Sequence, residues 1–126
     1  MSDNLWPDFE VSGQARSPKA VVQEAGIGLR EKTDGRIDFV QHGTTQISDQ
    51  KVSVSYALWV PALNYSYPFI RIVFGVVESY PVRVAADGLG EFQANNEPEL
   101  IGVLAKVFSA DRTVKTITRL MQLASE

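Results

Sequence analysis

The sequence predicts an α+β fold: an N-terminal helix, an antiparallel meander of four or five strands, and a C-terminal pair of helices packed on the sheet. Three observations predict it. Apolar residues recur at helical spacing near both ends of the chain, at Val21, Val22, Ala25 and Leu29 and again between Leu100 and Ala124. In between, the apolar period changes to two, the period of a strand. The connections among these alternating segments are too short to hold a crossover helix, which favours antiparallel neighbours over βαβ units.

Residues 1–16, MSDNLWPDFEVSGQAR, mix Asp, Asn, Ser and Gly with the isolated aromatics Trp6 and Phe9, and read as an irregular arm able to dock on the body. Residues 17–126 read as a single α+β domain. Ser17 supplies a side-chain oxygen to cap the first helix, Pro18 fits its first turn, and Gly35 ends it. Gly26 and Gly28 each weaken this helix by about 1 kcal/mol relative to alanine, so packing must hold its second half.

RIDFVQ, residues 36–41, alternates as a strand with Ile37 and Phe39 on one face, and HGTTQISDQ, residues 42–50, reads as a loop. The cleanest alternation follows over residues 51–60. Val52, Val54, Tyr56, Leu58 and Val60 point to one side, and Lys51, Ser53, Ser55, Ala57 and Trp59 to the other. After a link, PALNYSYP at 61–68, the run FIRIVFGVV at 69–77 sets Ile70, Ile72, Phe74 and Val76 against Phe69, Arg71, Val73, Gly75 and Val77. A strand apolar on both faces is usually central and covered twice. YPVRVAAD adds a short strand, with Pro81 marking an edge or a strand start, and GEFQA after the DGLG turn adds another.

Asn96 and Glu99 form a capping-box-like pair at the start of the next helix, and Pro98 sits in its first turn. Leu100, Val103, Leu104, Val107 and Phe108 make its apolar stripe. Ser109 is placed to cap a last helix, in which Val114, Ile117, Leu120, Met121 and Ala124 repeat the pattern.

Composition narrows the function classes. The chain has 126 residues, 44% of them hydrophobic and 21% charged, which is enough to bury a core without disulfides or a structural metal. It has no cysteine, which excludes disulfides, thiolate ligands and cysteine nucleophiles. A net charge of −3 gives no global attraction to nucleic acid or anionic lipid. The N-terminus has no basic segment followed by an apolar run, and no stretch approaches the roughly 20 apolar residues that span a bilayer. The expected location is the cytoplasm, with neither a membrane nor nucleic acid as the expected partner.

His42 is the only histidine, so zinc clusters are not expected and triad chemistry rests on this one residue. An enzyme reading would use it as a general base beside the aromatic link at 61–67. GIG at 26–28 and GLG at 88–90 lack the remaining residues of a dinucleotide or phosphate fingerprint. No catalytic residue, metal site or cofactor is assigned.

In the tail, TVKTITRLM resembles the recognition helix of the helix-turn-helix domains of response-regulator transcription factors, with Ala105 as the small residue of the preceding helix. The resemblance implies that Arg112, Thr113, Lys115, Thr116 and Arg119 face DNA. The same residues also fit an αα-hairpin on the sheet, with Arg112, Lys115 and Arg119 forming a basic face open to water or to an acidic protein.

The aromatic segment is the other lead. Tyr and Trp give large contact area at small entropic cost. Trp59, Tyr65, Tyr67, Phe69 and Arg71 are therefore the expected binding residues of a small non-enzymatic protein-binding or adaptor domain. A surplus of apolar side chains on the second sheet face calls for a cover: the arm, a helix, or another protein chain, with a copy of the chain in a two-fold homodimer favoured slightly over the arm.

Overall fold

A computed structural model of the chain describes residues 5–8 and 16–126. Most of the arm, Phe9 included, lies outside the described residues, and Trp6 is 75% exposed.

Helix α1 spans Pro18–Lys32, and the Ser17 hydroxyl accepts from Ala20 N at 3.1 Å as its cap. At the other end Thr33 joins helix to sheet. Its buried hydroxyl donates to Leu29 O at 3.0 Å and accepts from Ile37 N at 3.1 Å, so the chain leaves the helix directly into a strand. Gly35 lies beyond the helix end in the left-handed region, with φ +78°.

Five strands follow: β1 Asp38–Ser48, β2 Lys51–Val60, β3 Tyr65–Gly75, β4 Val82–Ala86 and β5 Gly90–Ala94. A 3₁₀ turn, Pro61–Leu63, links β2 to β3. The sheet order is β1-β2-β3-β4-β5 and every pair is antiparallel, so the predicted meander is present. Helix α2, Glu97–Ser109, and helix α3, Asp111–Ala124, complete the fold.

All three helices pack on one face of the sheet. Val21 and Val22 of α1, Leu100, Leu104 and Val107 of α2 and Leu120 of α3 share a core with Val54, Tyr56, Leu58 and Val60 of β2 and with Ile72 and Val84. Helix α2 starts where Asn96 caps Glu99 N at 2.9 Å and the Glu99 carboxylate accepts from Asn95 N at 3.0 Å. Thr113 clasps the corner between α2 and α3, its buried hydroxyl donating to Val107 O at 2.6 Å.

Four expectations are corrected. The loop expected at 42–50 is mostly strand: β1 runs on to Ser48, with register shifts at His42 and Ile47, and only Asp49 and Gln50 turn. Tyr65 to Pro68 belong to β3 rather than to a link. Ser109 ends α2, donating to Ala105 O at 2.7 Å, and Ala110 stands at the start of α3 without a side-chain cap. Phe69 is not on the second face.

That last difference comes from a β-bulge. Tyr56 pairs with Ile70, but the next residue, Ala57, pairs with Pro68, so Phe69 is the extra residue of β3. The bulge turns Phe69 inward to 8% exposure, where its ring meets Phe39 at 6.2 Å and Phe108 at 6.0 Å. The opposite face of the sheet presents Lys51, Arg71, Arg83, Glu91 and Gln93, all exposed, around half-buried Trp59 and Val73.

Candidate functional site

Beyond the bulge the strand has changed face. Tyr67 pairs with buried Leu58, and Tyr65 with buried Val60, so both tyrosines stand on the helix-covered side. There α3 reaches the 3₁₀ turn and the start of β3, leaving a groove of about 660 Å³. Leu63, Tyr65 and Tyr67 form one wall. The other is α3, where Thr116, Leu120 and Leu123 make a stripe at i, i+4 and i+7, flanked by Lys115 and Arg119.

A polar knot fixes one end of this groove. The Tyr67 hydroxyl donates to the Asp87 carboxylate. Arg112, in the first turn of α3, donates from Nε to the Asp87 backbone carbonyl at 3.1 Å and from Nη2 to its carboxylate at 3.3 Å. Strand β3, the β4–β5 turn and α3 are thereby tied through one aspartate. Gly88 makes room for this contact. Its φ is +73°, and a Cβ there would lie 1.9 Å from Arg112 Nε.

The knot settles protonation states. The Tyr67 hydrogen bond and then the Arg112 guanidinium hold the Asp87 carboxyl below its ordinary value, against the opposing effect of burial. The same carboxylate raises the Tyr67 hydroxyl, first by the hydrogen bond it accepts and then, after burial, by its charge, while Thr116 and Arg112 pull the other way. Tyr67 therefore keeps its proton as a donor, and the knot orients its ring along the groove wall.

The wall so built offers tyrosine faces, leucine side chains, a threonine hydroxyl and two cations. These groups attract carboxylates and apolar side chains.

The expected binding residues thus separate. Tyr65 and Tyr67 line the groove, Phe69 is in the core, and Trp59 and Arg71 lie on the opposite sheet face. The basic residues of the tail divide as well. Arg112 is bound to Asp87 and Thr113 is buried, whereas Lys115 and Arg119 are exposed at the groove. His42 is exposed on β1, and among the described residues no hydrogen bond or ion pair joins it to a carboxylate.

Leu63 and Leu123 belong to the groove but not to the residues read from sequence. Leu123 could have been found by extending the Thr116–Leu120 stripe one turn, whereas Leu63 carries no such signal. Among the described residues no helix is long and apolar enough to cross a membrane. Comparison with known proteins returns no match, whether with family models, curated sequences or solved structures.

Proposed function

We propose that the chain is a non-enzymatic protein-binding domain that seats an acidic, partly apolar segment of a partner protein between β3 and α3. The observation that carries this reading is the meeting of Tyr65 and Tyr67 with Lys115 and Arg119 in one groove, although the two groups lie some fifty residues apart in the chain. Tyrosine supplies contact area with few rotatable bonds, and leucines extend the apolar floor. The two cations select carboxylates and speed encounter with an acidic segment, even though the chain as a whole is acidic.

Selection of displayed peptides against the intact chain tests the reading. Enriched peptides should combine Asp or Glu with Leu or aromatic residues, and their binding by fluorescence anisotropy should weaken as salt rises. The double variant Lys115→Glu, Arg119→Glu should weaken binding at least about tenfold, and Tyr65→Ala by a similar factor, with Trp59→Ala as the control on the opposite face. The proposal fails if the selected peptides are not acidic, or if they bind the charge-reversed variant as tightly as the wild type.

A further inference from the structure

A second cavity lies on the other flank of α3. It has a volume of about 270 Å³ and is bordered by the second half of α1, the sheet, the end of α2 and the start of α3. Three phenylalanines from three different elements wall it: Phe39 of β1, Phe69 at the bulge of β3 and Phe108 of α2. Phe39 meets Phe69 and Phe108 edge-on, at 6.2 and 5.9 Å between ring centroids. Leu29 and Ile117 close the sides. Phe39 and Phe108 pack against the core yet keep part of their surface open, as rings bordering a cavity do.

We infer that this cavity binds an uncharged aromatic small molecule of one or two rings. Size comes first. A dry apolar cavity of about 150 Å³ accommodates benzene, and drug-sized ligands need roughly 300 Å³ or more. The cavity lies between these limits. Shape comes next, because the rings offer both faces and edges, and a planar aromatic guest can meet them offset-stacked and edge-to-face.

Polarity decides the charge of the guest. The buried hydroxyl of Thr113, the uncharged polar side chain in the wall, is already committed to Val107 O at 2.6 Å. A charged group drawn inside would lose its hydration without gaining a partner. Glu31 and Lys32, both exposed, contribute opposite charges to the lining and so favour neither anions nor cations. A long acyl chain would leave the ring faces poorly matched, and its carboxylate would meet Glu31 as well as Lys32.

Titration of the intact chain with indole and with 2-naphthol, followed by carbon-13 NMR of the aromatic side chains, tests the inference. Both compounds should give saturable shifts at Phe39, Phe69 and Phe108. Benzoate, benzylamine and decanoate should give none at the same concentrations. Gly28 borders the cavity, and a Cβ there meets nothing within 4 Å. Gly28→Leu should therefore fill part of the space and weaken binding at least about tenfold, while melting no lower than the wild type because leucine favours the helix. Tyr65→Ala, in the groove, should leave indole binding unchanged. The inference is overturned if neither neutral compound saturates, if benzoate or decanoate binds as well as 2-naphthol, or if Gly28→Leu binds like the wild type.

Discussion

Alanine at Gly26 and alanine at Gly28 should move stability in opposite directions. By helix propensity alone the two substitutions are equivalent, each gaining about 1 kcal/mol by removing glycine from the same helix. Their surroundings differ. At Gly28 an added Cβ has open space, so Gly28→Ala should keep roughly 0.5–1 kcal/mol of that gain. At Gly26 it would lie 2.2 Å from Phe39 Cδ1, 2.5 Å from Cγ and 2.9 Å from Cε1. Carbon atoms pack at about 3.5–4.0 Å, so the ring would have to retreat by more than roughly 1 Å. On two sides it is blocked, being stacked on Tyr56 at 5.2 Å and met by Phe108 at 5.9 Å, and a shift of that size into the cavity it borders would disrupt those ring contacts. Overpacking of this kind costs about 1–3 kcal/mol, which exceeds the propensity gain over most of that range. Gly26→Ala should thus be destabilised by about 1 kcal/mol net, placing the two variants roughly 2 kcal/mol apart. For a chain of this length that corresponds to a difference of about 8 °C in melting temperature. Urea unfolding followed by tryptophan fluorescence, with calorimetry alongside, measures it. Equal stabilisation of both variants would refute the claim that Phe39 is pinned against α1.

Two further tests concern single polar atoms. The Tyr56 hydroxyl is buried and has no hydrogen-bond partner among the described residues, so Tyr56→Phe should be neutral or stabilising by up to about 1 kcal/mol in chemical denaturation. Burial also pushes this hydroxyl up to about 12. The fold therefore favours its protonated form, and that contribution is fully present below pH 10 and lost as pH rises from about 10 to 12. The loss, about 2–3 kcal/mol in wild type, should be absent from Tyr56→Phe, and equal alkaline slopes would contradict it. Gly88→Ala should cost about 1–2 kcal/mol from its left-handed backbone alone and should also displace Arg112 from Asp87. A melting temperature unchanged from wild type would show that the turn adapts without strain.

The helices were legible because each carries local chemistry that names it. Ser17 and Asn96 cap the starts of α1 and α2 as their spacing predicts, and the stripes of α2 and α3 supply Leu100, Leu104, Val107 and Leu120 to the core. Strand β1 was legible only as far as it is half covered. From Gln41 to Ser48 every residue is exposed, so its side chains obey no alternation and composition alone suggests a loop. What makes this stretch a strand is backbone pairing with β2, a property of the partner that leaves no mark on Thr44, Thr45 or Gln46. The start of α3 illustrates the same limit in reverse. Ser109 is a good cap by type, but the corner is held by Thr113 reaching back to Val107, a contact set by the angle between two helices.

The candidate groove depends on a single residue that alternation cannot place. Counting back from Ile70 by twos puts Pro68 and Ser66 on the helix side and Phe69, Tyr67 and Tyr65 on the open side. The bulge at Phe69 inverts that assignment for everything before it, since one extra residue flips the side-chain direction of the rest of a strand. With regular pairing Tyr67 would point away from Asp87 and Arg112, and Tyr65 would share a face with Trp59 rather than with Lys115 and Arg119. The groove would then lose its tyrosine wall, and the Phe39–Phe108 cavity would lose the ring of Phe69. Both candidate sites therefore trace to the same irregularity. It also accounts for β3 looking apolar on two faces: Phe69, the large ring counted on the open side, is carried by the bulge into the core.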